Sequence, residues 1–349
     1  MEIKKELKDI AWNITEKQYR TAPALSYSTL ARYEREGFNN LDKLFEHITT
    51  PSLVQGSMVD VLITGSPEEF DKEFYVADVP SIGDKELQIV DDLFTKYSED
   101  YQSFPEIPYD TILYTANESA FQKNWRDDTR VKVLKERCSA YYALKYNAGD
   151  RTIVDLDTYY KVMAMVKALK ESPATCGYFA DNDPMSPVRR YYQLKFKAKL
   201  KDVVYRFMAY LIICNYESKD VYLIDLKTSH KSEWDFYKSF IDWSYSCQGR
   251  LYYRIIAANL YKNPYFKDFK VHNYRFIVVN KDTLKPLVWE FKDTKKFGEL
   301  TYGRNNQIVI RDPFTIGKEL RAYLDNKPAV PNGIDETGTN DIVEWLNKL

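Results

Sequence analysis

Apolar residues at helical spacing dominate the first half of the chain. Ser26 precedes the stretch TLARYEREGF, where its hydroxyl can cap the first helical turn, and Gly37 can end the helix. The stretch DTYYKVMAMVKALKES shows the same spacing and stops at Pro173. Residues 1–185 are therefore predicted to form a mainly helical N-terminal part.

The pattern then changes to strand-like alternation. Lysines and apolar residues alternate over 194–201, a second strand is expected over 205–215, and the stretch VYLIDLKTS provides a third. A long helix over 233–260 and the strands YRFIVVN and PLVWEF follow. This order predicts an α/β fold whose core, residues 186–300, has a mixed central sheet flanked by helices. Residues 301–349 are expected to form a C-terminal extension that ends in the short helix DIVEWLNKL.

Composition narrows the classes of protein. Lys and Arg (50) nearly balance Asp and Glu (51), which excludes a histone-like polycation but leaves room for a local basic patch. Hydrophobic residues make up 44% of the chain, which excludes global disorder. The four cysteines contain no C-x-x-C pair, so reduced thiols in an intracellular protein are expected. No apolar run approaches the roughly 18 residues needed to span a bilayer, so we expect a soluble protein without a membrane partner.

The stretch VYLIDLKTS carries the most informative chemistry. Asp225 and Lys227 are two residues apart on the expected strand, so both side chains leave the same face. A carboxylate is a hard ligand for Mg²⁺, the Leu226 carbonyl can add a second oxygen, and the lysine can orient or deprotonate a nearby water. A surface ion pair would give the same letters. The apolar flanks favour the functional interpretation, because they bury the strand and make a charge pair without a task costly.

Several separated blocks resemble one known family, the PD-(D/E)XK nucleases. The resemblance covers roughly residues 25–291 and is strongest to the phage exonucleases of the exonuclease VIII (RecE-like) and lambda-exonuclease branch, particularly those of crAss-like phages. The blocks are SYSTLARYE, GSMVDVLITGSPEEFDKEFYV, YRFMAYLIICN, VYLIDLKTS, and WDFYKSFIDWSYSCQGRLYYRII followed by FKDFKVHNYRFIVVNKDTLKPLVWEF. The resemblance implies a restriction-endonuclease-like core with a helical N-terminal addition.

The resemblance also implies a set of site residues. The catalytic residues would be Asp60, Asp225, Lys227 and Gln248, with Asp225, Asp60 and the Leu226 carbonyl as ligands of Mg²⁺ or Mn²⁺, and Tyr252 as a DNA contact. Gln248 and Tyr252 are one helical turn apart and share a face, so they are expected to contact the DNA end or to orient the lysine.

One position departs from the family pattern. The turn near Ser218 pairs the neighbourhood of Asp225 with Tyr210 or Leu211, so Tyr210 stands where relatives have a metal-binding aspartate. A phenol, with a pKa of about 10, is a poor Mg²⁺ ligand at neutral pH. Asp202, the nearest other carboxylate, is eight residues earlier and is not expected to substitute. Metal binding is therefore expected to be weakened.

Basic and aromatic residues near the expected site have two interpretations each. The basic residues are Arg189, Arg190, Lys195, Lys197, Lys199 and Lys201, which either follow a phosphate backbone or protect an exposed edge strand from aggregation. The aromatic residues are Trp234, Phe236, Tyr237, Phe240, Trp243 and Tyr245, which either stack on unpaired bases or belong to the core. Position favours DNA for the first set, and helical spacing favours the core for the second.

The function expected from these observations is a Mg²⁺- or Mn²⁺-dependent phage exodeoxyribonuclease that hydrolyses linear DNA in replication or recombination. The resemblance implies DNA as partner, a phage single-strand annealing protein and a homo-oligomer as candidate partners, and the cytoplasm of the infected host as location. The alternative is a catalytically degenerate member of the family that serves as a DNA- or protein-binding phage component. Tyr210 favours this alternative, whereas Asp60, Asp225, Lys227 and Gln248 favour the enzyme.

Overall fold

The computed structural model describes residues 3–37, 44–45, 49–292, 300–302, 306–308 and 311–325. The helices are α1 (Glu16–Thr21), α2 (Tyr27–Glu36), α3 (Pro51–Thr64), α4 (Pro67–Glu73), α5 (Asp84–Tyr97), α6 (Tyr109–Glu118), α7 (Asp127–Ala148), α8 (Leu156–Glu171), α9 (Phe236–Asp242), α10 (Tyr245–Lys262) and α11 (Pro313–Leu324). The strands are β1 (Phe74–Ala77), β2 (Thr152–Asp155), β3 (Val188–Tyr192), β4 (Lys195–Leu200), β5 (Val203–Met208), β6 (Leu211–Asn215), β7 (Asp220–Ser229), β8 (Lys270–Val271), β9 (Tyr274–Asn280), β10 (Pro286–Phe291), β11 (Leu300–Tyr302) and β12 (Asn306–Ile308). Short 3₁₀ turns cover Leu7–Ile10 and Phe104–Glu106.

The chain divides into two compact units. The first contains Met1–Thr50 and Lys167–Leu349, and the second contains Pro51–Val166. The predicted domain boundary at residue 185 does not coincide with a boundary between these units. Helices α1 and α2, which the sequence assigns to a helical N-terminal part, belong to the unit that holds the main sheet.

The second unit is mainly helical, as helical periodicity predicts. Helices α5, α6 and α7 enclose a core that includes Leu93, Leu134 and Tyr142, none of which is exposed to solvent. Strands β1 and β2 form a parallel pair beside these helices. Ser66 accepts a hydrogen bond from the Glu69 main-chain N–H and caps the start of α4.

The main sheet of the first unit has the strand order β10-β9-β7-β6-β3, and β8 also pairs with β7. Strands β6 and β7 are antiparallel, β7 and β9 are parallel, and β9 and β10 are antiparallel, so the sheet is mixed. Strand β7 lies at its centre, where Val221, Leu223 and Ile224 are buried. The prediction of a mixed central sheet with flanking helices is confirmed.

The predicted continuous strand over 205–215 is wrong, because the chain bends inside it. Strands β5 and β6 are separated at residues 209–210, and β3 and β4 are separated at the facing residues 193–194. The main-chain N–H of Ala209 still donates to the Leu194 carbonyl at 2.8 Å. Gln193 has a left-handed backbone with φ of +56°, which turns the β4–β5 hairpin away from the main sheet. Alternation along the sequence cannot reveal this bend, since the strand pairing has the same register on both sides of it.

Helix α10 packs on the β4–β5 hairpin and on β9 through a buried face that includes Leu251, Ile255 and Ile256. Its approach is close at Gly249, where an added Cβ would lie 2.8 Å from Phe291 Cδ1. The predicted terminal helix over 341–349 lies outside the described residues. None of the helices in the described part of the chain is both long and apolar enough to span a membrane.

Candidate active site

The centre of the candidate site is Asp225 on β7. The last Cα pair between β6 and β7 is Leu211 with Ile224, whereas β9 pairs with β7 from Ile224 to Ser229. Asp225 therefore occupies the point where β7 extends past β6 in the main sheet. Asp225 is only 8% exposed, so its carboxylate requires polar partners to offset the loss of water.

Two side chains provide those partners. Lys227 Nζ lies 2.8 Å from Asp225 Oδ2, because residues two apart on a strand share a face. Gln248 Nε2 donates a 2.8 Å hydrogen bond to Asp225 Oδ1 from the first turn of α10. The sequence predicted that Gln248 would contact DNA or the lysine, but the structure brings it to the carboxylate. The three residues thus form one buried polar cluster that connects strand and helix.

Four tyrosines surround this cluster, and their hydroxyls stay protonated. Burial raises the pKa of Tyr27, Tyr252 and Tyr274 well above the usual range, and the negative charge of Asp225 adds to the effect. Burial also raises the pKa of Tyr245, although Lys227 opposes that rise. Lys227 Nζ lies 4.5 Å from the centroid of the Tyr245 ring, which is cation–π distance.

Sequence reasoning assigned two of these tyrosines no role near Asp225. Tyr27 lies within a block that supports the family resemblance, yet about two hundred residues separate it from β7, and no spacing rule connects them. Tyr274 begins β9 and was expected only as a strand residue. Tyr252, predicted to contact DNA, is 9% exposed, and its ring packs 4.6 Å from that of Phe207.

Tyr210 lies across from Asp225. It directly precedes the pair of Leu211 with Ile224, so continuing the antiparallel register by one residue sets it opposite Asp225, as the sequence predicts. The residue is 7% exposed, and its ring meets that of Tyr192 edge-on at 6.3 Å. A core aromatic therefore occupies the position where the resemblance implies a carboxylate.

Asp60 lies on α3 in the second unit, where its main-chain carbonyl accepts a hydrogen bond from Thr64 Oγ1 at 2.8 Å. It stays a predicted ligand on the resemblance alone. Leu226 is 9% exposed and pairs with Ile277 of β9. Throughout the described residues, no three His, Cys, Asp or Glu side chains come together as a metal-binding group.

The oxygen ligands at Asp225 suit a hydrated divalent ion that takes most of its other ligands from water and substrate phosphates. Among the described residues, none donates a hydrogen bond to the buried Asp225 Oδ2, which has the Lys227 ammonium beside it. A carboxylate has about four acceptor positions, so one hydrogen bond and one ion pair leave capacity for a further cation. Mg²⁺ commonly binds through one or two carboxylates together with waters and substrate phosphates. The Asp225 carboxylate and a strand carbonyl suit that mode and not a closed all-protein cage.

The two predicted DNA-binding arginines hold a loop of their own chain. Arg190 Nη2 donates to the Gly177 carbonyl at 2.7 Å, and Arg189 Nη2 donates to the Pro184 carbonyl at 2.9 Å. Arg189 Nη1 also donates to the Asp183 carbonyl at 2.9 Å. Both guanidinium groups therefore order the segment that leads into β3.

The lysine alternation is confirmed on β4, where Lys197 and Lys199 are exposed between buried apolar residues. Lys201 does not continue that face, because it lies in the β4–β5 turn with a left-handed φ of +47°. Lys197 Nζ lies 4.3 Å from the Trp12 ring centroid, and Lys199 forms a 3.3 Å ion pair with Asp202. Contacts within the chain thus offset part of this positive charge, and a DNA-binding role for the lysines stays a prediction.

Comparison with known proteins adds a distant structural likeness. No protein-family model matches the chain, and no curated protein matches it. Among solved structures, the crystal structure of a "putative exonuclease" from Eubacterium rectale matches with a TM-score of 0.43 and 13% sequence identity. The match covers 81% of this chain and 79% of that chain. A likeness this distant carries no argument about activity, so membership of the PD-(D/E)XK family stays a prediction.

Proposed function

We propose that the chain is a nuclease of the PD-(D/E)XK type that hydrolyses phosphodiester bonds in DNA. The observation that carries the proposal is the cluster of Asp225, Lys227 and Gln248, in which both carboxylate oxygens meet a cationic or amide donor at 2.8 Å. An ordinary surface ion pair would be exposed and would lack the buried glutamine. Groups held this tightly where a strand extends past its neighbour are typical of sites that must position charge.

The chain's own residues supply orientation and positive charge. Gln248 Nε2 fixes the rotamer of Asp225, because its hydrogen bond joins two different elements of the fold. Lys227 presents an ammonium that can donate to a phosphate oxygen and offset its negative charge. The surrounding tyrosines exclude water and strengthen these interactions. In the hydrolysis a water adds to phosphorus and one P–O bond breaks, which leaves a phosphate monoester and a hydroxyl.

A divalent ion belongs to the proposal, with Asp225 and the Leu226 carbonyl as the residues of β7 that would hold it. Mg²⁺ or Mn²⁺, when bound, would lower the pKa of a water and offset charge on the phosphate. The finer description rests on the family resemblance alone: a phage exonuclease of linear DNA, active in replication or recombination in the host cytoplasm. The same holds for a single-strand annealing protein or a second copy of the chain as partner.

The test is a nuclease assay on end-labelled linear DNA with Mg²⁺, Mn²⁺ or EDTA. Lys227→Ala should abolish metal-dependent cutting, whereas the matched control Lys267→Ala, at an exposed lysine of the same unit, should leave it unchanged. A covalently closed circle of the same sequence should resist digestion if the enzyme requires ends. Cutting that survives Lys227→Ala would contradict the proposal.

A second candidate is a catalytically degenerate relative that binds DNA or protein. Tyr210 favours it, because a buried phenol replaces the carboxylate that the resemblance implies. The variant Tyr210→Asp separates the two candidates. Activity in the unaltered chain supports the enzyme, whereas activity that appears only in Tyr210→Asp supports a scaffold that has lost one ligand.

A further inference from the structure

The connection between β7 and α10 carries three large aromatic side chains in solvent. Trp234 is 82% exposed, Trp243 is 50% exposed and Tyr237 is 37% exposed. On the same connection Phe236 is only 2% exposed, and its ring lies 5.4 Å from that of Trp289. The aromatic set therefore divides into a buried part that fixes the connection and a part that is exposed to solvent. We call Trp234, Tyr237 and Trp243 the aromatic surface.

Cations accompany these rings. The Arg35 guanidinium lies 5.0 Å from the Trp243 ring centroid, and Lys238 Nζ lies 5.8 Å from that of Tyr237. An acidic residue balances one of them, since Asp235 forms a 2.5 Å ion pair with Lys238. Such a mixed surface attracts a duplex weakly, because duplex binding depends on a surplus of positive charge along the phosphates. Stacking on a base face does not need that surplus, but it requires bases that are unpaired.

One end of the aromatic surface, Trp243, adjoins the residues around Asp225. Trp243 precedes Tyr245 by two residues, and the Tyr245 ring lies 4.5 Å from Lys227 Nζ. The Tyr27 hydroxyl, which also belongs to the ring of tyrosines around Asp225, donates to the Trp243 carbonyl. At the other end, the Lys231 main-chain N–H donates to Ser229 Oγ at 3.0 Å, which anchors the connection where β7 ends. A DNA strand that reaches Asp225 beside Tyr27 and Tyr245 would thus pass Trp243.

We propose that the aromatic surface stacks on unpaired bases, so that the substrate of this site is single-stranded DNA or the single-stranded tail of a duplex. The catalytic part of this statement rests on the proposed nuclease function, whereas the binding part stands without it. The rings supply flat faces for bases, and Arg35 supplies positive charge for a neighbouring phosphate.

The test measures binding without cleavage. Fluorescence anisotropy in EDTA compares a labelled 15-nucleotide oligothymidylate with a blunt duplex of the same length. Trp234→Ala and Trp243→Ala should each weaken single-strand binding by about 5- to 100-fold, as loss of one stacked base implies, and should change duplex binding less than about twofold. Trp125→Ala is the matched control, because Trp125 is 42% exposed and lies in the second unit. Trp234→Phe should retain most of the affinity.

Each other outcome has a defined meaning. Equal weakening for duplex and single strand, or no change for either, would overturn the stacking surface. A fall in sedimentation coefficient on Trp234→Ala, with DNA binding intact, would assign the rings to contact with a second copy and would also overturn it. Loss of single-strand binding in the tryptophan variants of a chain that never cleaves DNA would support the surface while the nuclease proposal fails. Cleavage without any effect of the tryptophans would do the reverse.

Discussion

Replacing Lys227 by methionine should reveal how strongly the buried carboxylate depends on its partner. The change removes the ammonium 2.8 Å from Asp225 Oδ2 and keeps an unbranched apolar side chain that reaches as far as Cε. Breaking a buried pair on one side costs about 3–5 kcal/mol, because an uncompensated charge stays in the interior. The Lys227 side chain is 20% exposed and the Gln248 hydrogen bond remains, so we expect a loss of about 2–4 kcal/mol in the free energy of unfolding.

Asp225→Asn should cost less, about 1–2 kcal/mol, because the amide oxygen can still accept from Gln248 and Lys227 keeps its contact with the Tyr245 ring. The double variant should therefore be more stable than the sum of the two losses predicts, by about 1–3 kcal/mol. Urea denaturation of the four proteins at pH 7 measures this coupling.

An exposed pair provides the matched control for this cycle. Lys132 and Glu136 lie 3.9 Å apart with side chains 75% and 63% exposed, and their coupling should stay within about 0.5 kcal/mol. A coupling energy between Asp225 and Lys227 no larger than that of the exposed pair would contradict the expected coupling of a buried charge. It would mean that water reaches the carboxylate and that the polar cluster does not balance a desolvated charge.

Four further predictions concern other residues of the first unit. Without metal, Tyr210→Asp should be less stable than the unaltered chain. When Mn²⁺ is added at 100 times its Kd, the variant should gain about 2.7 kcal/mol in the free energy of unfolding. An equal gain in both proteins would contradict a role for position 210 in metal binding. Gly317→Ala should lower the free energy of unfolding by about 1–3 kcal/mol, since its Cβ would lie 2.6 Å from Cε1 of the fully buried Tyr205; unchanged urea denaturation would contradict this. In the folded chain Cys176 should be the thiol that reacts with a disulfide reagent, because the other three are buried. Burial raises the pKa of Cys214 from 9.0 to about 12, so the folded chain keeps a proton that the unfolded chain releases. As the pH rises from 9.0 to about 12, Cys214 should therefore lower the free energy of unfolding by up to about 1.4 kcal/mol per pH unit.

Local periodicity was enough to predict β7, the strand that presents Asp225 and Lys227, but not the break between α9 and α10 inside the predicted helix over 233–260. The apolar flanks of Asp225 indicated a buried strand, and β7 is the central strand of the sheet. The spacing of two between Asp225 and Lys227 predicted one shared face, and the ion pair follows from it. The turn near Ser218 gave the register that sets Tyr210 opposite Asp225. Each of these inferences depends on neighbours along the chain or across one short hairpin.

Contacts that depend on the course of loops and turns could not be predicted in this way. Arg189 and Arg190 looked available for phosphate, but their guanidinium groups donate to carbonyls of the preceding loop. Lys201 fitted the alternation of β4, yet the left-handed turn takes it off that strand. Net charge and spacing show which charged side chains the sequence contains. Only the folded backbone determines which of them already bind other parts of the chain.

Tyr210 affects how the negative charge of Asp225 is balanced. Since it is 7% exposed and packs against Tyr192, it is part of the core, and the Asp225 charge is offset by Lys227 and Gln248. A cation that approaches Asp225 Oδ2 has to compete with the Lys227 ammonium, because like charges repel at this distance. Lys227 is the partner that can yield, since its side chain is 20% exposed, whereas Gln248 is 3% exposed on a packed helix. In the proposed nuclease, a phosphate would compete with Asp225 for the Lys227 ammonium. We therefore expect a metal and a nucleic acid to bind here more strongly together than either does alone.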